Sequence, residues 1–155
     1  MRSGKGWEWM LCAGVLAGAL ALRLPRLAQR PMHGDEANQA VRTGLLLEEG
    51  VYHYDPTDHH GPSLYFAAWP FCRASSRTFA GTTEWPYRLV PVTFSLLTLL
   101  IMLAMGVSSR QGLFANRSAR FAALLGMAVS PAMVYYSRFF IQETMLVTFL
   151  AGMLL

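Results

Sequence analysis

Charge is what this sequence has least of. Asp, Glu, Lys and Arg make up 14% of the 155 residues against 54% hydrophobic ones, a skewed balance for a water-soluble domain. Runs of basic residues are also missing. The 13 Lys and Arg are scattered, so the net charge of +4 makes no patch for a nucleic acid. Cysteine is nearly absent. Cys12 lies in an apolar stretch and Cys72 in a polar one, which excludes a disulfide framework and makes a bond between the two unexpected.

What is present is long apolar helix-forming sequence. Leu89 to Val107 is 19 residues without a charge, and Phe121 to Ser137 is 17 more, bracketed by Arg120 and Arg138. Each is about the length needed to cross ~30 Å of hydrocarbon at ~1.5 Å per helical residue. Leu, Met, Ala and Phe dominate both, and neither alternates as a strand would. An all-α, polytopic transmembrane bundle is the expected fold. Its segments are a first span over 1–24, an extracytoplasmic loop over 25–86, a second span over 87–107 and a cytoplasmic loop over 108–120. A third span over 121–137 follows, then an outer turn and the start of a fourth span over 138–155. The apolar stretch from Thr144 runs to Leu155 without a charge or cap, so a longer protein is expected.

The first segment has two readings. The apolar run Trp9 to Leu22 is 14 residues, short for a span and suited to a signal-peptide core, with Ala19-Leu20-Ala21 as a cleavage site. Against cleavage, Trp7 and Trp9 suit an interface and Arg23 can snorkel, lengthening the span. Both readings deliver Leu24 onward to the outside. The loop Ser108 to Arg120 holds Arg110, Arg117 and Arg120 without an acid, the pattern of a cytoplasmic loop.

The segment from Leu24 to Pro86 holds all four histidines and seven of the nine acids. Gly34-Asp35 is expected to start a helix that runs to Glu49 and stops at Gly50, with Ala37, Ala40, Val41 and Leu45 on its apolar face. Val51 to His60 reads as a loop. Ser63 to Phe71, between Pro62 and Arg73, is too short to span and suits an interfacial or re-entrant helix. His53, Asp55, Asp58, His59 and His60 carry donors suited to a divalent metal, in a spacing that matches no familiar zinc pattern. The topology brings His33, Asp35, Glu36, Arg138 and Glu143 to one outer face, where charges at membrane ends are often functional.

These residues carry a resemblance. His33-Gly34-Asp35-Glu36-Ala37, the stretch from Leu47 through Tyr54-Asp55-Pro56 and His60-Gly61-Pro62 to Tyr65, Ser130-Pro131, and Tyr135-Tyr136-Ser137-Arg138-Phe139 stand in order. Together they resemble the start of a GT-C glycosyltransferase of the dolichyl-phosphate-mannose protein mannosyltransferase-like family, flippase-associated subgroup included. The likeness covers about Pro31 to Phe149. It implies a multi-span enzyme in the lipid bilayer that takes a sugar from a polyprenyl-phosphate donor to an acceptor at the outer face. It also implies an essential acid in the first outer loop, matched by Asp35 or Glu36, and a second acid matched by Glu143 where such families usually have Asp.

The chemistry then asks for one base. A sugar on phosphate has a good leaving group, while an acceptor hydroxyl gains from losing its proton to a carboxylate. Displacement from the opposite face inverts the anomeric carbon, without the paired acids of a glycoside hydrolase. Arg138 would stabilise the departing phosphate, with His59 or His60 in a similar role. Competing readings are a non-catalytic component of glycan assembly or translocation, and a secreted metal-dependent hydrolase cleaved after Ala21. For single residues the plain alternatives are a helix cap for Asp35, a solvated first-turn acid for Glu36 and a membrane-end anchor for Arg138.

Overall fold

The structure is a computed structural model that describes residues 4–58, 60–108 and 116–155. His59, and Arg110 with most of the expected cytoplasmic loop, lie outside the described residues. Among the described residues the fold is all α. Its helices are α1 (Gly4–Arg23), α2 (Gly34–Glu49), α3 (Ser63–Ser75), α4 (Glu84–Ser108), α5 (Arg117–Val129), α6 (Pro131–Tyr136) and α7 (Glu143–Leu154), with a 3-10 turn at Phe79–Gly81.

Two packed regions share α4 as their common wall. At one end, α2 and α3 pack on the start of α4 and bury Leu46, Leu64, Tyr65, Cys72, Tyr87 and Phe140 together. At the other end, α1 and α5 pack on the later turns of α4 through Ala19, Leu99, Leu124 and Ala128. α7 lies along α4, where Thr98 and Thr148 share a hydroxyl contact of 2.8 Å. Cys12 and Cys72 belong to the two different regions and both are free thiols, as their setting in sequence leads one to expect.

Among the described residues, α4 is the one helix long and apolar enough to cross a membrane, over Glu84–Met105. α1 is 20 residues long but carries Lys5, Glu8 and Arg23, and α7 is apolar but 12 residues long. The segment expected as a third span is two helices. Ser130 has ψ of 125° because a residue before proline is pushed out of the helical region, and Pro131 then opens α6. The interfacial helix expected over Ser63 to Phe71 runs on to Ser75.

Arg23 departs from the snorkelling expectation. It is wholly buried, donating from Nε to Ser95 Oγ at 2.9 Å and from Nη1 to the carbonyls of Ala19 and Ala128. The side chain thus ties α1 to α4 and α5 instead of reaching for water. α2 also turns a different face inward. Its bounds match expectation, with Gly50 in the left-handed region at φ of 73° as the stop. The buried face, however, is Glu36, Gln39, Ala40, Thr43, Gly44, Leu46 and Leu47, while Val41 and Leu45 point out. Glu36 takes that face because Arg88 meets it there, and Thr43 is satisfied within the helix by donating to Gln39 O.

Candidate functional site

α1 ends where Pro25 follows Leu24, since proline has no N–H to continue the ladder. Arg26 then takes a left-handed φ of 59°, which costs an L-residue about 1 to 2 kcal/mol. The reversal turns the carbonyls of the 22–31 segment toward two arginines from distant elements. Arg138 donates from Nη1 to Leu22 O at 3.2 Å and from Nη2 to Pro25 O at 2.7 Å. Arg88, buried in the second turn of α4, donates to the carbonyls of Leu27, Arg30 and Pro31.

Glu36 is the anchor of this arrangement. Its side chain is fully buried and meets Arg88 in a two-point pair, Nε to Oε1 and Nη2 to Oε2, both at 2.9 Å. The backbone N–H of Phe140 reaches Oε1 at 2.9 Å, and the backbone N–H of His33 reaches Oε2 at 3.1 Å as the reciprocal half of a capping box. Arg30 adds a fifth donor at 3.2 Å. Burial pushes this carboxyl up, but the donations from Arg88, Phe140 and His33 outweigh it and hold the group below its ordinary value. A carboxylate so occupied is a poor proton acceptor, and its geometry suits the joining of α2, α4 and the 138–142 turn.

Asp35 stands apart from its neighbour. Its side chain is 70% exposed at the second position of α2, with His33 Nδ1 3.7 Å away. The residue in the cap position is His33, with extended backbone, so capping is not the role of Asp35.

A cleft of about 440 Å³ opens between the end of α1, the end of α5, α6 and the following turn. Its lining combines apolar Leu22, Leu27, Val129, Pro131 and Val134 with Arg26, Arg30, Arg88 and Arg138, and no acid is among the lining residues. A guanidinium has five N–H donors, and all five of Arg88 are taken by Glu36 and the three carbonyls. Arg30 gives one donor to Glu36 and lies over the Phe139 ring at 3.6 Å from its centre. Arg138 gives two donors to carbonyls, and Arg26 makes no side-chain hydrogen bond with the described residues. Three arginines therefore keep donors for an anion at the edge of an apolar surface, with Tyr135 beside them.

No family model, curated protein or solved structure matches the chain. The cleft has to be judged on its own chemistry.

Of the residues singled out in the sequence, Arg138 lines the cleft and Glu36 braces it through Arg30 and Arg88. Asp35 and Glu143 do not line it. Glu143 is exposed in the first turn of α7, where an acid suits the positive helix end. His60 lies in a second cluster, with Nδ1 3.4 Å from Asp58. There Arg42 reaches Asp55 and Asp58, and Tyr65 donates to Asp58 at 2.9 Å. Hydrogen bonds from Thr57 and then Arg42 lower the Asp55 carboxyl to about 2. These bonds pin the 51–60 loop onto α2 and α3. Protein donors already occupy both carboxylates, and among the described residues, which leave out His59, no group of three metal-ligating side chains forms.

Arg26, Arg30 and Arg88 were not singled out in the sequence. The signal was there in Arg23, Arg26 and Arg30 just after the first apolar segment, Arg88 just before the next and Arg138 after the third. Read singly, each is a membrane-end anchor, and only the fold makes them one group.

Proposed function

We propose that the protein acts as an inverting glycosyltransferase within a polytopic membrane bundle, moving a sugar from a polyprenyl-phosphate carrier to an acceptor at the outer membrane face. The observation that carries the reading is a cleft lined by four arginines and apolar side chains, with no acid among the lining residues. A lipid-linked phosphate combines the same two chemistries. Its oxygens accept from Arg26, Arg30 and Arg138, and the first units of its prenyl chain lie against Leu22, Val129 and Val134.

In the reaction, the acceptor hydroxyl oxygen attacks the anomeric carbon and the bond to the phosphate oxygen breaks, its electron pair leaving with the phosphate. Asp35 takes the hydroxyl proton from the solvent side. The arginines hold the negative charge that grows on the leaving group, where preorganised donors lower a barrier most. Glu36 keeps Arg30 and Arg88 in place and exchanges no proton.

A second reading is a non-catalytic component that binds a lipid-linked phosphate. It is favoured by the position of Asp35, which does not line the cleft. Donor binding and turnover separate the two in membranes containing the protein as its gene encodes it. Arg26→Gln, which disturbs no hydrogen bond among the described residues, is expected to weaken donor binding at least tenfold, the worth of one charge-assisted bond. Asp35→Asn is expected to lower turnover ~10² to 10⁴-fold at unchanged donor affinity. Absence of turnover in the wild type with donor still bound leaves the binding component, unchanged turnover in Asp35→Asn removes Asp35 as the base, and unchanged donor binding in Arg26→Gln removes the cleft from both readings.

The membrane topology has its own test. In a Cys12→Ser background, a cysteine at exposed Ala74 is expected to react with an impermeant thiol reagent in intact cells, and one at Ser118 only after permeabilisation. Cys72 itself is buried and is expected to stay silent. The reverse pattern would put the arginine cleft on the wrong side.

A further inference from the structure

Among the described residues two arginines are buried almost completely, and their surroundings differ. Arg88 has the Glu36 carboxylate. Arg23 has neutral partners only, Ser95 Oγ at 2.9 Å, Ala19 O at 3.1 Å and Ala128 O at 2.8 Å, while its Nη2 meets no acceptor. No acid among the described residues pairs with it. What surrounds it instead is helix ends, since Arg23 is the last residue of α1 and Ala128 the last but one of α5. A helix C-terminus carries roughly half a negative charge, on carbonyls that no helical N–H reaches. Leu22 and Val129, the sequence neighbours of Arg23 and Ala128, line the arginine cleft. The cleft therefore opens where two helices turn their negative ends, the wrong polarity for a phosphate, and Arg23 lies just behind its wall.

We infer that Arg23 is a positioning residue of the cleft: its buried charge offsets the ends of α1 and α5 and sets how strongly the cleft favours a doubly charged phosphate monoester over a singly charged diester. The inference rests on the cleft binding a lipid phosphate but not on sugar transfer. Arg23 does not line the cleft, so it acts through its field and not by contact. The missing carboxylate is what makes this possible. Glu36 cancels Arg88 at a distance, whereas the charge of Arg23 is met only by partial charges on carbonyls and a hydroxyl. A field acts on each charge of the ligand. A unit charge acting across about 10 Å at an effective dielectric of about 20 changes affinity roughly tenfold per ligand charge, so a dianion gains the factor twice. In the proposed transfer the hold tightens as the sugar leaves, because the donor is a diester and the spent carrier a monoester.

Farnesyl phosphate and its methyl ester share one prenyl chain and differ in charge, close to −2 against −1 at about pH 7.5, so the ratio of their affinities isolates the electrostatic part. Both would be titrated calorimetrically into the protein, as its gene encodes it, in lipid nanodiscs. The wild type should prefer farnesyl phosphate. Arg23→Gln, which keeps a donor for Ala128 O and drops the charge, should lower that preference about tenfold. Arg23→Lys, which keeps the charge and alters the bonds, should hold it near the wild-type value. Arg23→Met is a second neutral variant of similar length, since apolar replacement of a buried charge is usually tolerated, and it should match Arg23→Gln. An equal loss of affinity for both ligands in the neutral variants would make Arg23 a cap on α5 alone and overturns the inference. So does a preference that stays unchanged in them, or one that falls as far in Arg23→Lys. In each of these outcomes the phosphate reading of the cleft stands. A wild type that binds neither ligand removes that reading, and the inference with it.

Discussion

The two ends of α4 are built on different physics. Around its first turns, charged and backbone polar groups from four separate stretches meet at Glu36 and Arg88, and the apolar side chains of α2 and α3 close over them. Around its later turns, α1 and α5 meet it through small and branched apolar side chains, with Arg23 the one fully buried charge there among the described residues. The first arrangement is directional throughout, and the second is so only at Arg23. A carboxylate that joins α2, α4 and the 138–142 turn fixes where the arginines of the cleft stand, whereas an apolar seam fixes only that helices touch. The end that holds the arginine cleft is the one held by oriented bonds.

The largest effect expected from this contrast is at Glu36. Glu36→Ala leaves Arg88 buried without its carboxylate, and breaking a buried pair from one side typically costs about 3 to 5 kcal/mol. Thermal unfolding of the protein in lipid nanodiscs is the measurement. A loss under ~1 kcal/mol would mean that Glu36 is not the joint described above.

Acid should find the same joint. The folded carboxyl of Glu36 lies below its ordinary 4.5, so its stabilisation is fully present above that value and is lost as pH falls through the lower folded value. Unfolding followed from neutral pH downward should bend in that window for the wild type and lose that part of the bend in Glu36→Gln. An identical pH profile in the variant would assign the acid sensitivity to other groups, such as Asp55 and Asp58, which are also held low.

At the other end the expected loss is smaller and of another kind. Leu99, 1% exposed in the α1, α4 and α5 seam, should cost ~2 to 3 kcal/mol as Leu99→Ala, through lost contacts and an unfilled space. That loss should not vary with pH between 4 and 7. A pH-dependent loss would show the two ends to be coupled through α4 and end the contrast.

The same contrast explains what could be read from the sequence. Composition and the lack of strand alternation gave the all-α class, and glycine and proline gave local stops such as Gly50 and Pro25. The seam residues of α4 were visible as an uncharged run. The cleft was not, because it depends on contacts between positions up to 116 residues apart, such as Arg138 with the Leu22 carbonyl. Val41 and Leu45 looked inward by apolar spacing, and only the distant Arg88 explains why Glu36 takes the buried face instead, while Thr43 is accommodated there by donating to its own helix at Gln39 O. Arg138 stood out as a charge at an expected membrane end, and the resemblance added to that. Arg26, with its left-handed backbone, had no sequence signal of its strain.

The smallest expected effect tests how tightly the outer end is assembled. Gly44 lies on the buried face of α2, and a Cβ there would stand 2.5 Å from Cδ2 and 3.0 Å from Cβ of Phe79. The 3-10 turn carrying Phe79 is also tied to α2 by its own N–H, which donates to Glu48 Oε1 at 2.7 Å. In Gly44→Ala two effects oppose each other. Alanine favours the helix by about 1 kcal/mol over glycine, while the contact with Phe79 forces the ring, already 37% exposed, off the helix. The unfolding midpoint should therefore move little. The turn should open, and trypsin cleavage at exposed Arg77 should accelerate several-fold at nearly constant global stability. A gain of the full ~1 kcal/mol with unchanged cleavage would mean that Phe79 does not rest on Gly44 and that this corner of the outer end is looser than the joint at Glu36.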